Sequence, residues 1–120
     1  MTLIPTSKTR NVNGISPIEL NDIFNFLQGA VYCWCKNRKY EWFSLRSLMG
    51  GDNFYWETTP LMSLFDKHKA LGKTNDVAIK DAGKDCGWIL KSLLQNDSRD
   101  FEHKKEDLIR KYRWVAPSHE

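Results

Sequence analysis

Residues 76–115 read DVAIKDAGKDCGWILKSLLQNDSRDFEHKKEDLIRKYRWV, one long amphipathic segment followed by two short segments around a turn. Within residues 76–95, apolar side chains recur every three or four positions, the spacing that places them on one face of an α-helix. This stripe consists of Ile79, Ala82, Cys86, Ile89 with Leu90, and Leu93. The pattern predicts a helix that packs one face against the rest of the domain.

A second stripe on the same predicted helix is basic and aromatic. It consists of Lys80, Lys84, Trp88 and Lys91. Because this stripe lies away from the packing face, we expect it to contact a partner.

Two glycines in this segment need an explanation. Gly83 and Gly87 each cost about 1 kcal/mol relative to alanine in a helix interior. One explanation is another helix that crosses close to them. The other is a bend after Gly83 that makes Asp85 an N-cap and shifts the contact set towards the later piece of the helix. That later set consists of Trp88, Lys91, Ser92 and Gln95.

Residues 101–105 and 108–115 flank the polar pair Glu106 and Asp107, which predicts a β-hairpin. In the second segment Tyr112 and Trp114 alternate with basic residues, as in a strand with one packed face. The cations that crowd the hairpin are Lys104, Lys105, Arg110, Lys111 and Arg113. We expect only Glu106 and Asp107 to oppose them.

Helix signals earlier in the chain are local. Ser16, Pro17 and Glu19 form a capping box that predicts a long helix to about residue 36. Residues 40–43 favour a short strand, and residues 44–49 before a glycine pair favour a capped helical turn. Thr59 as a cap and Pro60 at the first position predict a further helix that Gly72 ends.

The outline of helix, turn and basic hairpin over residues 60–115 resembles a winged-helix module. The sequence therefore predicts an α+β, mainly helical, winged-helix-like fold with three to four helices and a C-terminal β-hairpin. We expect a flexible N-terminal arm over residues 1–14, a single domain over residues 15–116 and a tail over residues 117–120.

The composition of the 120-residue chain is that of a soluble globular protein, with 41% hydrophobic and 28% charged residues. It has no apolar run of membrane-spanning length and no signal-peptide core. Three cysteines offer no disulfide framework and no metal-ligand set, which favours buried reduced thiols. These features predict a cytoplasmic protein with no membrane partner, no metal and no cofactor.

The sequence contains no catalytic signature, so we expect a protein that is not an enzyme and has no catalytic residues. The leading hypothesis is a regulator that binds double-stranded DNA through cations that neutralise phosphates. Its predicted contacts are Lys80, Lys84, Trp88, Lys91, Gln95, Lys104, Lys105, Arg110, Lys111 and Arg113. The alternative is a module that binds a protein partner or forms a homodimer through exposed aromatic rings at Trp42, Tyr55 and Trp56.

Overall fold

The structure is a computed structural model that describes residues 12–49 and 56–115. This part of the chain forms four helices followed by an antiparallel two-stranded hairpin. The elements are α1 (Pro17–Asn37), α2 (Leu45–Leu48), α3 (Met62–Ala70), α4 (Asn75–Gln95), β1 (Phe101–Glu106) and β2 (Ile109–Trp114). The predicted α+β, mainly helical architecture with a C-terminal hairpin is confirmed.

The N-terminus of α1 has the capping box that the sequence predicts. The Ser16 hydroxyl accepts from the Glu19 amide at 3.1 Å, and the Glu19 carboxylate accepts from the Ser16 amide at 2.8 Å. Just before this cap, Val12 packs against the core and the Asn13 carbonyl accepts from the Lys67 ammonium. These last residues of the predicted arm therefore contact the folded domain, and residues 1–11 lie outside the described residues.

In the region after α1, the strand predicted over residues 40–43 is reduced to a single bridge at Phe43, and the predicted helical turn follows it. Phe43 and Tyr112 exchange two backbone hydrogen bonds of 2.8 Å, which makes Phe43 an isolated strand position beside β2. Ser44 then caps α2 by accepting from the Ser47 amide. The chain between α1 and α2 is therefore fastened to the hairpin. The glycine pair predicted to stop this helical turn lies outside the described residues.

The start of α3 differs from the prediction by two residues. Thr59 accepts from the Leu61 amide, but the bonds that follow run from residue i+3 to residue i, as in a 3₁₀ turn. Regular helix therefore begins at Met62 instead of Pro60. Gly72, with φ of +86°, ends this helical region as predicted because glycine adopts the left-handed conformation readily.

Helix α4 is continuous, so the predicted bend and the N-cap role of Asp85 are wrong. A close helix crossing is wrong as well, because a Cβ built on Gly83 or Gly87 would meet nothing within 4 Å. The buried stripe begins at Ala78, whereas Ile79 is 60% exposed. At 100° per residue Ile79 lies within about 40° of the centre of the buried face of α4, so helical periodicity does not account for its exposure.

One hydrophobic core joins the helices to the hairpin. It combines the buried stripe of α1, the later turns of α4 and three rings from Phe43, Phe101 and Tyr112. The ring of Phe43 lies 6.0 Å from each of the other two rings. The hairpin is therefore held by aromatic packing as well as by the backbone bridge.

Candidate nucleic-acid interface

The register of the hairpin assigns its side chains to two faces. Phe101 pairs with Trp114 and Glu106 with Ile109, and directly opposed residues share a face. The inner face packs on the core through Phe101 and Tyr112, which are 0% and 3% exposed. The outer face consists of Glu102, Lys104, Glu106, Ile109, Lys111 and Arg113.

The cations of the outer face are paired with carboxylates of the same face. Lys111 donates to Glu106 at 2.6 Å, Lys104 lies 3.4 Å from the same carboxylate, and Arg113 contacts Glu102. The expectation that only Glu106 and Asp107 oppose the hairpin cations is therefore wrong, because Glu102 shares their face. Hydrogen bonds from Lys111 and Lys104 lower the pKa of Glu106. Such solvent-accessible pairs contribute little to stability, so a competing anion can replace the carboxylate.

Trp42 from the segment before α2 packs against the outer face. The Lys104 ammonium lies 4.3 Å and the Arg113 guanidinium 4.7 Å from the centroid of its ring. The bridge at the neighbouring Phe43 places the ring there. A tryptophan distant in sequence therefore orients two hairpin cations through cation–π contacts.

Lys39 reaches the end of β2 in a similar way. Its ammonium lies 5.1 Å from the Tyr40 ring and 5.6 Å from the Trp114 ring, and these rings are 5.4 Å apart. Tyr40 has φ of +66°, which is rare for a bulky residue, and its contact with Trp114 helps to hold it. Residues 36–39 were expected only to end a helix. The signal that could have indicated more is the alternation of charged residues and rings in Lys39, Tyr40, Glu41 and Trp42.

We call the resulting surface the hairpin patch. It consists of Trp42, Lys104, Lys111 and Arg113. Lys39 lies outside it, beside Trp114, whose side chain belongs to the inner face. Of the other predicted hairpin contacts, Lys105 is exposed, and Arg110 is half-buried with its guanidinium 3.3 Å from His103 Nδ1.

A buried ion pair, Asp97 with Arg99, connects α1 to the start of the hairpin. Asp97 accepts from the Arg99 amide and guanidinium at 2.8 to 2.9 Å and from Gln28 of α1 at 3.0 Å. Burial alone would raise the pKa of Asp97, but these hydrogen bonds hold it below its ordinary value. The Arg99 guanidinium also lies 5.9 Å from the Trp114 ring. The loop from α4 to β1 is thereby fixed against α1.

The predicted basic stripe of α4 is divided by the structure. Lys80 and Lys84 are exposed, whereas Lys91 is only 3% exposed and lies 5.3 Å from the Trp88 ring. Lys91 is therefore enclosed in the fold and does not lie on the exposed face that the sequence predicts. Helix α4 packs against α1 and α2 as well as α3, so burial extends beyond the apolar stripe. Trp88 and Gln95 are half-buried and have contacts within the chain.

A second polar cluster lies between α3 and α4. The Lys73 ammonium donates to His68 Nδ1 at 2.7 Å and to Asp81 at 2.8 Å, and His68 Nε2 lies 2.7 Å from Asp85. Because an ammonium only donates, Nδ1 accepts and Nε2 carries the proton given to Asp85. Lys67 also pairs with Asp85 at 2.7 Å. These charges hold two helices together, and the hydrogen bond from Lys73 lowers the pKa of Asp81.

The aromatic rings of the alternative hypothesis are partly packed. Trp42 and Trp56 are half-buried, and Tyr55 lies outside the described residues. An apolar cleft of about 420 Å³ opens beside Trp56, with Phe65, Ile79 and Gly83 among its lining residues. The exposed apolar residues Val77 and Ile79 are two positions apart on α4 and so point in different directions.

Residues 12–49 and 56–115 contain neither a group of metal ligands nor a membrane-spanning helix. No group of three or more histidine, cysteine or acidic side chains is placed there to hold a metal ion. No helix in the same residues combines the length and apolar character needed to cross a membrane. All three cysteines are free, but Cys33 is exposed while Cys35 and Cys86 are buried, so the expectation of buried thiols is wrong for Cys33.

Comparison with protein-family models, curated proteins and solved structures finds no match to this chain.

Proposed function

We propose that this chain is a small, cytoplasmic, non-enzymatic DNA-binding protein of winged-helix type. The hairpin patch contacts the phosphate backbone of double-stranded DNA, and the exposed lysines Lys80 and Lys84 of α4 provide a second contact.

The placement of Trp42 carries this proposal. This residue comes from the segment after α1, yet its ring lies against Lys104 and Arg113 of the hairpin. Folding therefore orients several cations on one face of the hairpin, where a phosphate backbone can meet them together.

The carboxylates of the outer face fit this role. Glu106 and Glu102 pair with the cations in the free protein, and the Lys111 and Glu106 side chains are 31% and 50% exposed. When DNA binds, its phosphates take the place of these carboxylates as partners of the same cations. Binding therefore requires little rearrangement of the hairpin.

The test is a salt titration of the affinity for a mixed-sequence duplex, measured by fluorescence anisotropy. Each phosphate contact contributes about 0.9 to the slope of log affinity against log salt. Replacing Lys111 and Arg113 together by alanine should lower this slope by about 2 and weaken binding by at least about tenfold. The control is Lys69→Ala, an exposed lysine on α3, which should leave both quantities unchanged.

A second double variant tests the contribution of α4. Lys80→Ala with Lys84→Ala should weaken binding less than the hairpin variant, because the Trp42 ring orients Arg113, whereas Lys80 and Lys84 are exposed side chains on α4. Affinity that does not change with salt, or no binding of the unaltered protein at low salt, would contradict the proposal.

A further inference from the structure

The tip of the hairpin carries an apolar residue in an unfavourable conformation. Asp107 and Leu108 are the two loop residues between the paired positions Glu106 and Ile109, and their φ angles are +51° and +65°. Positive φ at both positions defines a type I′ turn, in which glycine or asparagine is strongly preferred. Leucine at the second position is therefore strained. The sequence predicts a turn at Glu106 and Asp107 and a strand that begins at Leu108. In the structure the turn lies one residue later and includes Leu108.

Leu108 is also 88% exposed, more than any other large hydrophobic side chain in the described part of the chain. An exposed apolar side chain and a strained backbone thus coincide at one residue. The free protein gains nothing from either feature, since asparagine would relieve the strain and suit the solvent. A residue that lowers the stability of the fold without a compensating contact is expected at a functional position.

Cations surround the base of this tip. The first two residue pairs behind Glu106 and Ile109 are Lys105 with Arg110 and Lys104 with Lys111. At about 3.3 Å per strand residue, these four side chains begin within about 7 Å of the paired positions at the tip. A tip that enters a DNA groove brings these cations towards the phosphates of both groove walls.

We infer that Leu108 is an apolar wedge that enters the groove of bound DNA and inserts between adjacent base pairs. This inference rests on the proposed DNA-binding function and specifies how the hairpin tip takes part in it. Inserted leucine is removed from water, and the flanking cations neutralise phosphates while the step is unstacked. A lipid surface fits less well, because one leucine beside Glu106 and Asp107 buries too little apolar area to anchor a protein.

The experiment uses the full chain and a mixed-sequence duplex that carries 2-aminopurine, whose fluorescence rises when a base step is unstacked. Leu108→Asn removes the apolar side chain and keeps a residue that suits the turn. The matched control is Leu71→Asn, because Leu71 is also exposed, at 72%, but lies at the end of α3. Leu108→Met retains an apolar wedge and serves as the conservative variant.

We expect the unaltered protein, Leu71→Asn and Leu108→Met to bind alike and to raise the fluorescence. Leu108→Asn should bind about tenfold more weakly with an unchanged salt slope, and without the rise in fluorescence. Its melting temperature should equal or exceed that of the unaltered protein, which shows that the loss is not misfolding.

Two results would overturn the wedge and leave DNA binding intact. The first is equal affinity and equal fluorescence change for Leu108→Asn and the unaltered protein. The second is binding to phosphatidylserine vesicles that Leu108→Asn abolishes while its DNA affinity stays normal. Absence of DNA binding by the unaltered protein at low salt would instead overturn the proposed function, and the wedge with it.

Discussion

The interface between α3 and α4 and the interface between the hairpin and α1 hold their elements in different ways. Between the two helices, Lys67, His68 and Asp85 form a largely buried polar cluster, and Lys73 donates to His68 at its edge, where the Lys73 side chain is 30% exposed. Between the hairpin and α1, Phe43 and neighbouring rings supply the packing. Aromatic packing leaves the hairpin cations on the outer face, where they are accessible to an anion.

This contrast shows why a count of lysines along the sequence is a poor guide to an interface. Lys73 and Lys67 stabilise helix packing, Lys91 is buried, and Lys104 lies on a ring at the surface. The partner of each cation and its exposure separate these cases. A cation whose partner is an exposed carboxylate can exchange it for a phosphate. Lys67, with a side chain that is 12% exposed, cannot leave Asp85 without a larger cost.

Replacing Phe43 by alanine tests the aromatic interface most severely. Phe43 is 1% exposed and contacts the rings of Trp34, Phe101 and Tyr112, so its removal opens a cavity in the core. We expect the free energy of unfolding in urea to fall by about 3 to 5 kcal/mol. A loss below about 1 kcal/mol would show that these rings do not hold the hairpin.

Replacing Asp85 by alanine tests the polar cluster. The change leaves Lys67 without its carboxylate and the buried His68 without its acceptor, so stability should fall by about 2 kcal/mol. DNA affinity at a temperature where the variant is folded should be unchanged, because the cluster lies outside the hairpin patch. Asp66→Ala, an exposed carboxylate on α3, is the control with little expected effect. Weakened DNA binding in folded Asp85→Ala would contradict the separation of the two clusters.

Gly83→Ala tests whether the glycine in α4 has a packing role. Since a Cβ at this position meets nothing within 4 Å and the helix is continuous, alanine should raise stability by about 0.5 to 1 kcal/mol. Gly72→Ala is the opposite control, because φ of +86° strains any side chain there and stability should fall. A loss of stability in Gly83→Ala would mean that a close neighbour occupies the cleft.

Local signals in the sequence predicted the helices and the hairpin well. The capping box at Ser16 and the alternation around Tyr112 act through neighbouring residues, and both features are observed. The burial of Lys91 and the exposure of Ile79 depend on which elements enclose each half of α4, and helical periodicity does not contain that information. The turn lies one residue later than predicted. Leucine is typical of a strand, but Leu108 occupies a turn position where glycine or asparagine is usual.

Only some members of the hairpin patch could be predicted from the sequence. Lys104, Lys111 and Arg113 follow from the basic composition of the hairpin. Trp42 enters only because a single backbone bridge aligns its segment with β2, a pairing across about 70 residues that no local pattern signals. Glu102 was overlooked because its partnership with Arg113 depends on the strand register.

Replacing Glu106 by glutamine makes the smallest expected change and tests the exchange of anions directly. Glu106 pairs with both Lys104 and Lys111, so the variant releases two cations of the hairpin patch and removes a charge that repels phosphate. We expect DNA affinity to rise by about threefold at low salt, with a steeper salt slope. The control is Asp66→Asn, which makes the same charge change on α3.

The effect of Glu106→Gln should not depend on pH between about pH 6 and pH 8, because hydrogen bonds from Lys111 and Lys104 keep the pKa of Glu106 below its ordinary value. The carboxylate therefore stays ionised throughout that range, and the ratio of the two affinities is constant. If both glutamine and asparagine variants raise the affinity equally, net charge alone governs binding. The distinction between the hairpin cations and those of the α3–α4 cluster would then have no bearing on DNA recognition.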